Sequence, residues 1–231
     1  MEYDKSSNPG VIQANCEVMD MRFKDRKAAG IQLADALLKY QGEAVVVFAL
    51  PRGGVVLGAE IARQLHAPLG LLITKKIGHP RDSEYAIGAV TESGEPIYDP
   101  EALRQVDPAY LTAEAARMRE EIKRRRQTYL GDAVRQAVAG KIVILVDDGI
   151  ATGLTMMAAI QEISQLSPER IVLAIPVIPS DIAGILKTMV DELVALKIDD
   201  YFLGSVGSYY EDFHQVEDHE VIALIKSVNG P

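Results

Sequence analysis

Five short runs of aliphatic and β-branched residues punctuate the chain, at 44–50, 69–74, 141–147, 170–176 and about 190–196. Each is continuous rather than alternating, so it predicts a strand buried on both faces, as in a parallel sheet. Between them the apolar positions switch to helical spacing. Ile31, Ala34, Leu37 and Leu38 mark a helix over about 25–40, and Val55, Val56, Ala59, Ile61, Ala62 and Leu65 mark one over 54–65. Further helices are predicted at 153–166 and 180–188. This alternation implies an α/β fold of three layers, a mostly parallel sheet with helices on both faces.

The rhythm breaks between Ile77 and Gly140. That insertion carries polar sequence at 78–86, a pair of short strands (87–91 and 95–98) and a charge-dense helix from Thr112 to Tyr129. Structureless loops longer than ~15 residues are uncommon unless they work as lids or carry structure of their own. The basic run Lys123-Arg124-Arg125-Arg126 lies in that helix among carboxylates and reads as a solvated face. The expected organisation is one domain over 1–231: a core at about 25–76 and 140–198, an insertion at about 77–139, and a small hood from about 199–231 with the N-terminal arm.

Composition narrows the function. With 231 residues, 48% of them hydrophobic, the chain can build a large core, and its net charge of −9 argues against nonspecific nucleic-acid binding. Cys16 is the only cysteine, which fits a reducing cytoplasm. It has no local histidine partner and is not expected to act as a nucleophile. His66, His79, His214 and His219 show no zinc-ligand spacing, no apolar run reaches transmembrane length, and the start MEYDKSSNPG is not a signal peptide.

Chemistry gathers at strand ends. In Lys141–Thr155, KIVILVDDGIATGLT, the apolar run Ile142–Val146 stops at Asp147 and Asp148, and a loop through Gly149, Ala151, Thr152 and Gly153 opens a helix at Leu154 and Thr155. Amides at a helix N-terminus, helped by the two threonine hydroxyls, can cradle a phosphate. The carboxylates can accept hydrogen bonds from sugar hydroxyls or hold the water shell of Mg²⁺. Another strand end carries Pro51-Arg52-Gly53-Gly54, where the glycines let backbone approach a polyanion and Arg52 supplies a charge-assisted donor. A third, Leu71–Gly78, ends its strand in Lys75 and Lys76. No G-x-G-x-x-G or P-loop can be spelled, and a receiver domain would need its aspartate pair early in the chain.

Together the acidic pair followed by T-G-x-[ST], the R-G-G loop and the basic pair resemble the type I phosphoribosyltransferases, and Met21–Arg26 with the tail is similar to uncharacterised members of that family. The resemblance implies transfer of ribose 5-phosphate from phosphoribosyl pyrophosphate (PRPP) to a nitrogenous base, with release of pyrophosphate and dependence on Mg²⁺. It implies PRPP contacts from Arg52, Gly53, Gly54, Lys75, Lys76, Asp147, Asp148, Ala151, Thr152, Gly153, Leu154 and Thr155. Catalytic weight would fall on Asp147, Asp148, Arg52 and Lys76, with metal contact by Asp147 and Asp148 through water or ribose hydroxyls. It further implies a cytoplasmic homodimer, a mobile lid at 78–86, and a hood whose aromatic stretch Tyr201–Phe213 covers the base. Ala151 stands where 6-oxopurine enzymes carry an acid/base aspartate, which disfavours those acceptors. The alternative, from another class, is a PRPP- or nucleotide-sensing module that kept the loops without turnover.

Overall fold

The structure is a computed structural model and describes residues 11–13 and 22–230; Cys16, Met21 and the polar start lie outside the described residues. In chain order the elements are β1 (Val11–Gln13), α1 (Arg26–Ala36), β2 (Val45–Ala49), α2 (Gly54–Leu65), β3 (Leu69–Leu71), β4 (Lys75–His79), β5 (Asp82–Val90), β6 (Ile97–Tyr98), α3 (Ala102–Gln105), α4 (Pro108–Leu130), β7 (Ile142–Val146), α5 (Leu154–Ser164), β8 (Arg170–Pro179), α6 (Ser180–Leu186), β9 (Glu192–Asp199) and α7 (Asp218–Asn229).

Six strands form one sheet in the order β1-β9-β8-β7-β2-β3, every neighbouring pair parallel. The continuous apolar runs are explained by the pleat. In β7, Ile142, Ile144 and Val146 pack against α1 and α2, while Val143 and Leu145 pack against α5 and α6. Strand order reverses between β2 and β7, where Ala49 lies opposite Val146. That is the switch point at which open parallel sheets leave a crevice beyond the strands' carboxyl ends.

The insertion departs from its predicted form. The strand expected at 69–74 ends at Leu71, and Lys75 and Lys76 instead begin a second, antiparallel sheet, β4-β5-β6. The polar stretch at 78–86 is therefore no open loop; it is the end of a β-hairpin, with an irregular register at Gly78. Only Ile77 of β4 is buried, so the strand had no periodic signal, and its order comes from partners far along the chain, such as the Tyr110 hydroxyl donating to the Gly78 carbonyl at 2.9 Å. The charged helix is longer than predicted, starting at Pro108 behind an Asp107 cap. One face is buried through Leu111, Ala115, Met118 and Ile122, so α4 is not solvated all round. Among the described residues no helix is long and apolar enough to cross a membrane.

The free edge of β3 is closed by one side chain. Asn229, at the end of α7, donates to the Leu69 carbonyl at 2.8 Å and accepts from the Leu69 amide at 2.9 Å, as a neighbouring strand would. Asn229→Ala should cost about 1–3 kcal/mol by leaving both groups unpaired. Urea denaturation checks this, and an unchanged midpoint would contradict it.

Candidate active site at the switch point

The loops after β2 and β7 lie directly on each other. A Cβ on Gly54 would sit 2.8 Å from the Val146 carbonyl oxygen and 2.9 Å from Asp147 Cα. One on Gly53 would overlap the Asp148 carboxylate and come within 2.8 Å of Arg26 Nε. Gly53 has φ −59°, so it is required here for space rather than for an unusual dihedral. The glycines thus serve contact between the two loops as well as the approach of a polyanion. The Pro51–Arg52 peptide between them and β2 is cis.

The two aspartates have different surroundings. Asp147 lines a crevice of about 500 Å³ with Pro51, Lys75, Lys76 and Thr155. Loss of hydration on burial and then the charge of Asp148 hold the Asp147 carboxyl well above the usual range, against the Asp148 amide, which donates to Oδ1 at 2.8 Å, and Arg26. Asp148 is paired with Arg26, Nε to Oδ2 at 2.7 Å, and its carbonyl accepts the Tyr210 hydroxyl at 2.6 Å.

The basic residues already have carboxylates nearby. Lys75 meets Glu121 of α4 at 2.9 Å, which draws the Glu121 carboxyl below its ordinary range, and Arg117 bridges Glu114 at 2.6 Å and Glu121 at 3.2 Å along the same wall. Lys76 is exposed, opposite Ala89 in the hairpin. Arg52 does not line the crevice; it turns toward α7, 3.7 Å from Asp218 and 3.9 Å from Glu217. Ala151 and Thr152 are exposed and border a neighbouring hollow with Asp181, Asp199 and Phe202. Gly153, at φ +78°, turns the chain into α5, where no side chain caps the first amides before Leu154 and Thr155. Lys75, Lys76, Asp147 and Thr155 are therefore gathered in one crevice, while Arg52 and Thr152 stand to either side.

The tail closes over this edge. The Phe23 amide donates to the Tyr209 carbonyl at 2.7 Å, and the Glu211 amide to the Phe23 carbonyl at 2.8 Å. Most of the aromatic stretch is core: Tyr209 and Tyr210 are buried, and Tyr210 packs between Phe23 and Phe213. Tyr201 alone of these tyrosines is open, at 88% exposure. The Tyr209 hydroxyl donates to Asp199 at 2.7 Å and accepts from the Leu203 amide at 2.9 Å, fixing the turn beside Ala151 and Thr152. Burial and that carboxylate push Tyr209 up to about 12. Glu114, Arg117 and Glu121 were not singled out by motif, unlike Arg26, which closes the Met21–Arg26 stretch. Their only sequence signal was membership of mixed-charge helices, which does not reveal which face meets the crevice.

Two outcomes follow from this geometry. Gly53→Ala should destabilise the fold by about 1–3 kcal/mol, as overpacking does, and separate Arg26 from Asp148; thermal denaturation with a crystal structure would check both. The hydroxyl of Tyr209 holds Asp199 below its ordinary 3.8. That stability is present above the unfolded value and is lost as pH falls through the folded one. Tyr209→Phe should therefore lose about 1–3 kcal/mol near neutrality and show a flatter acid limb in melting temperature against pH. An unaltered acid limb would refute this.

A family model described as the phosphoribosyl transferase domain matches residues 23–211. Two curated Mycobacterium tuberculosis proteins, carrying the provisional name phosphoribosyl transferase, are 38% identical over 205 residues, covering 88% of this chain and 46% of theirs. The chain thus spans about half the length of these curated relatives. The crystal structure of TT1426 from Thermus thermophilus is 43% identical, covers 91% of this chain and 100% of its own, and superposes with a TM-score of 0.77. AQ2163 from Aquifex aeolicus, 14% identical over 82% of this chain and 87% of its own with a TM-score of 0.52, shares the fold. With the model matched over most of its length and this similarity to TT1426, the chain belongs to the phosphoribosyl transferase domain family.

Proposed function

We propose that this chain transfers ribose 5-phosphate from PRPP to a nitrogenous base and releases pyrophosphate. The observation that carries the reading is the crevice at the switch point, where Asp147 faces Lys75, Lys76 and the start of α5 across a glycine loop packed on the acidic pair. The open amides of α5, with Thr152 and Thr155, suit the 5-phosphate. Asp147 and Asp148 would accept from the ribose hydroxyls and place negative charge near a sugar that becomes cationic as its anomeric C–O bond breaks. Lys75, Lys76 and the amides of Gly53 and Gly54 would oppose the charge growing on the departing pyrophosphate. Arg52 joins them once it leaves Glu217 and Asp218, a step within reach because contacts of 3.7 and 3.9 Å are loose. The β4–β5 hairpin would exclude water, which otherwise hydrolyses PRPP.

Among the described residues no three His, Cys, Asp or Glu side chains gather as a metal cage. One or two carboxylates beside a diphosphate fit Mg²⁺, which is commonly held in that way with water completing its shell. Asp147 and Asp148 would hold it through water or the ribose hydroxyls, and it would supply charge neutralisation of the leaving group. The same reading carries a homodimer working in the cytoplasm. Ala151 offers no carboxylate to a purine ring, which points away from 6-oxopurine acceptors. A binding-only module is the second reading, favoured by the carboxylates that already occupy Lys75 and Arg52.

Asp147→Asn with Asp148→Asn should weaken Mg-PRPP binding at least about tenfold, the loss expected when a charge-assisted hydrogen bond goes. Calorimetry on the folded double variant measures it, and unchanged affinity would remove the assignment. Pyrophosphate release from PRPP and Mg²⁺ across a panel of bases separates the readings. Base-stimulated release supports transfer; binding without release by any base supports the sensor.

A further inference from the structure

Arg26, the last residue of the Met21–Arg26 stretch, is a heavily engaged cation at this edge of the sheet, and no role was assigned to it from the sequence. Its side chain is 10% exposed. Nε donates to Asp148 Oδ2 at 2.7 Å, Nη1 donates to the His214 carbonyl at 2.7 Å, and the guanidinium carbon lies 3.7 Å from the centre of the Phe213 ring. Gly53 packs against the same pair, since a Cβ there would meet both Arg26 Nε and the Asp148 carboxylate. One side chain therefore joins the start of α1, the loop after β2, the loop after β7 and the tail segment 213–214.

A planar guanidinium with a fixed fork of donors is suited to this task, because each donor fixes the direction of the others. The bond from Nε engages Asp148 Oδ2 and leaves Oδ1 outside the pairing with Arg26. A lone carboxylate beside Asp147 would turn more freely; bound to Arg26 through Oδ2, it holds one orientation. The arginine is itself held by the His214 carbonyl and the Phe213 face. The tail must therefore be docked for Asp148 to be held.

We infer that Arg26 is a positioning residue that fixes Asp148 for the ribose hydroxyls and makes that orientation depend on docking of the 213–214 segment. This rests on the reading of the crevice as a PRPP site and adds to it a coupling between the tail and the acidic pair. Arg26 touches no substrate in this scheme; it acts through Asp148.

The test is a double-mutant cycle read by calorimetry with Mg-PRPP. Arg26→Met keeps an unbranched apolar stem and removes the donors, and should weaken binding by about tenfold. In an Asp148→Asn background the same change should cost less than about twofold, because the residue it acts through is already altered. Arg26→Lys keeps the charge without the fork and should recover only part of the affinity lost in Arg26→Met. Equal losses in both backgrounds, or unmutated affinity in folded Arg26→Met, would overturn the inference.

Amide hydrogen exchange separates its failure from that of the underlying reading. If Arg26 is the link, Arg26→Met lowers protection at 147–149 and 210–214 together, with or without PRPP. Unchanged protection overturns the link itself. An unmutated protein that shows the link but binds no Mg-PRPP overturns the substrate reading, and with it the service of Arg26 to ribose.

Discussion

The constraint that organises this edge of the molecule is the presence of two adjacent carboxylates at the mouth of a fully buried strand. Burial removes water from Asp147, and the charge of Asp148 beside it raises the cost of ionising it further. The chain meets that cost with the Asp148 amide on Asp147 Oδ1, Arg26 on Asp148 Oδ2, and the Tyr210 hydroxyl on the Asp148 carbonyl. Residues from the start of α1 and from the tail are thereby drawn to the end of β7. The pairing of Phe23 with Tyr209 and Tyr210, and the stacking of Phe213 on Arg26, follow from the same demand.

A chain of net charge −9, if it is to hold a polyanion as proposed, must concentrate its cations locally. It does so while keeping them near carboxylates: Lys75 with Glu121, Arg52 near Asp218, Arg26 with Asp148. The first two pairs are partly open to water, so exchange of a carboxylate for a phosphate there costs little. The third is nearly closed, and separating it would leave a carboxylate without its partner in a poorly hydrated place. Lys75 and Arg52 can therefore change partners, while Arg26 holds its place. Of the adjustable cations, Lys75 lines the crevice and Arg52 stands beside it, turned toward α7.

Close packing at the switch point makes the site intolerant of bulk. The loop after β2 rests on the backbone of Val146 and Asp147, and only hydrogens at Gly53 and Gly54 leave room for it. The consequence is that the loop carrying Arg52 and the loop carrying the aspartates behave as one packed unit. Along the opposite wall, α4 brings Glu114, Arg117 and Glu121 to the crevice, so the insertion is part of the site's electrostatics rather than a spacer.

The parallel sheet was legible in the amino-acid order because a strand buried on both faces must be apolar at every position. The five runs at 44–50, 69–74, 141–147, 170–176 and about 190–196 come close to that requirement, with charged residues such as Lys141, Asp147, Arg170, Asp191 and Glu192 near their ends. The turns at 51–54 and 147–155 were legible for a similar reason, since glycines and charged residues at the end of an apolar run mark where a strand leaves the core. Of the hairpin, the apolar end of β5 was legible in the strand expected at 87–91, while β4 was not, because only Ile77 of it is buried and its order comes from partners such as Tyr110. Nor could a local pattern join Arg26 to Asp148 across 122 residues, turn Arg52 toward α7, or select the face of α4 that meets Lys75. Those contacts exist only once the sheet has fixed the distances between its strand ends: the residue types set which chemistry was available, and the packing of distant segments decided which charges meet.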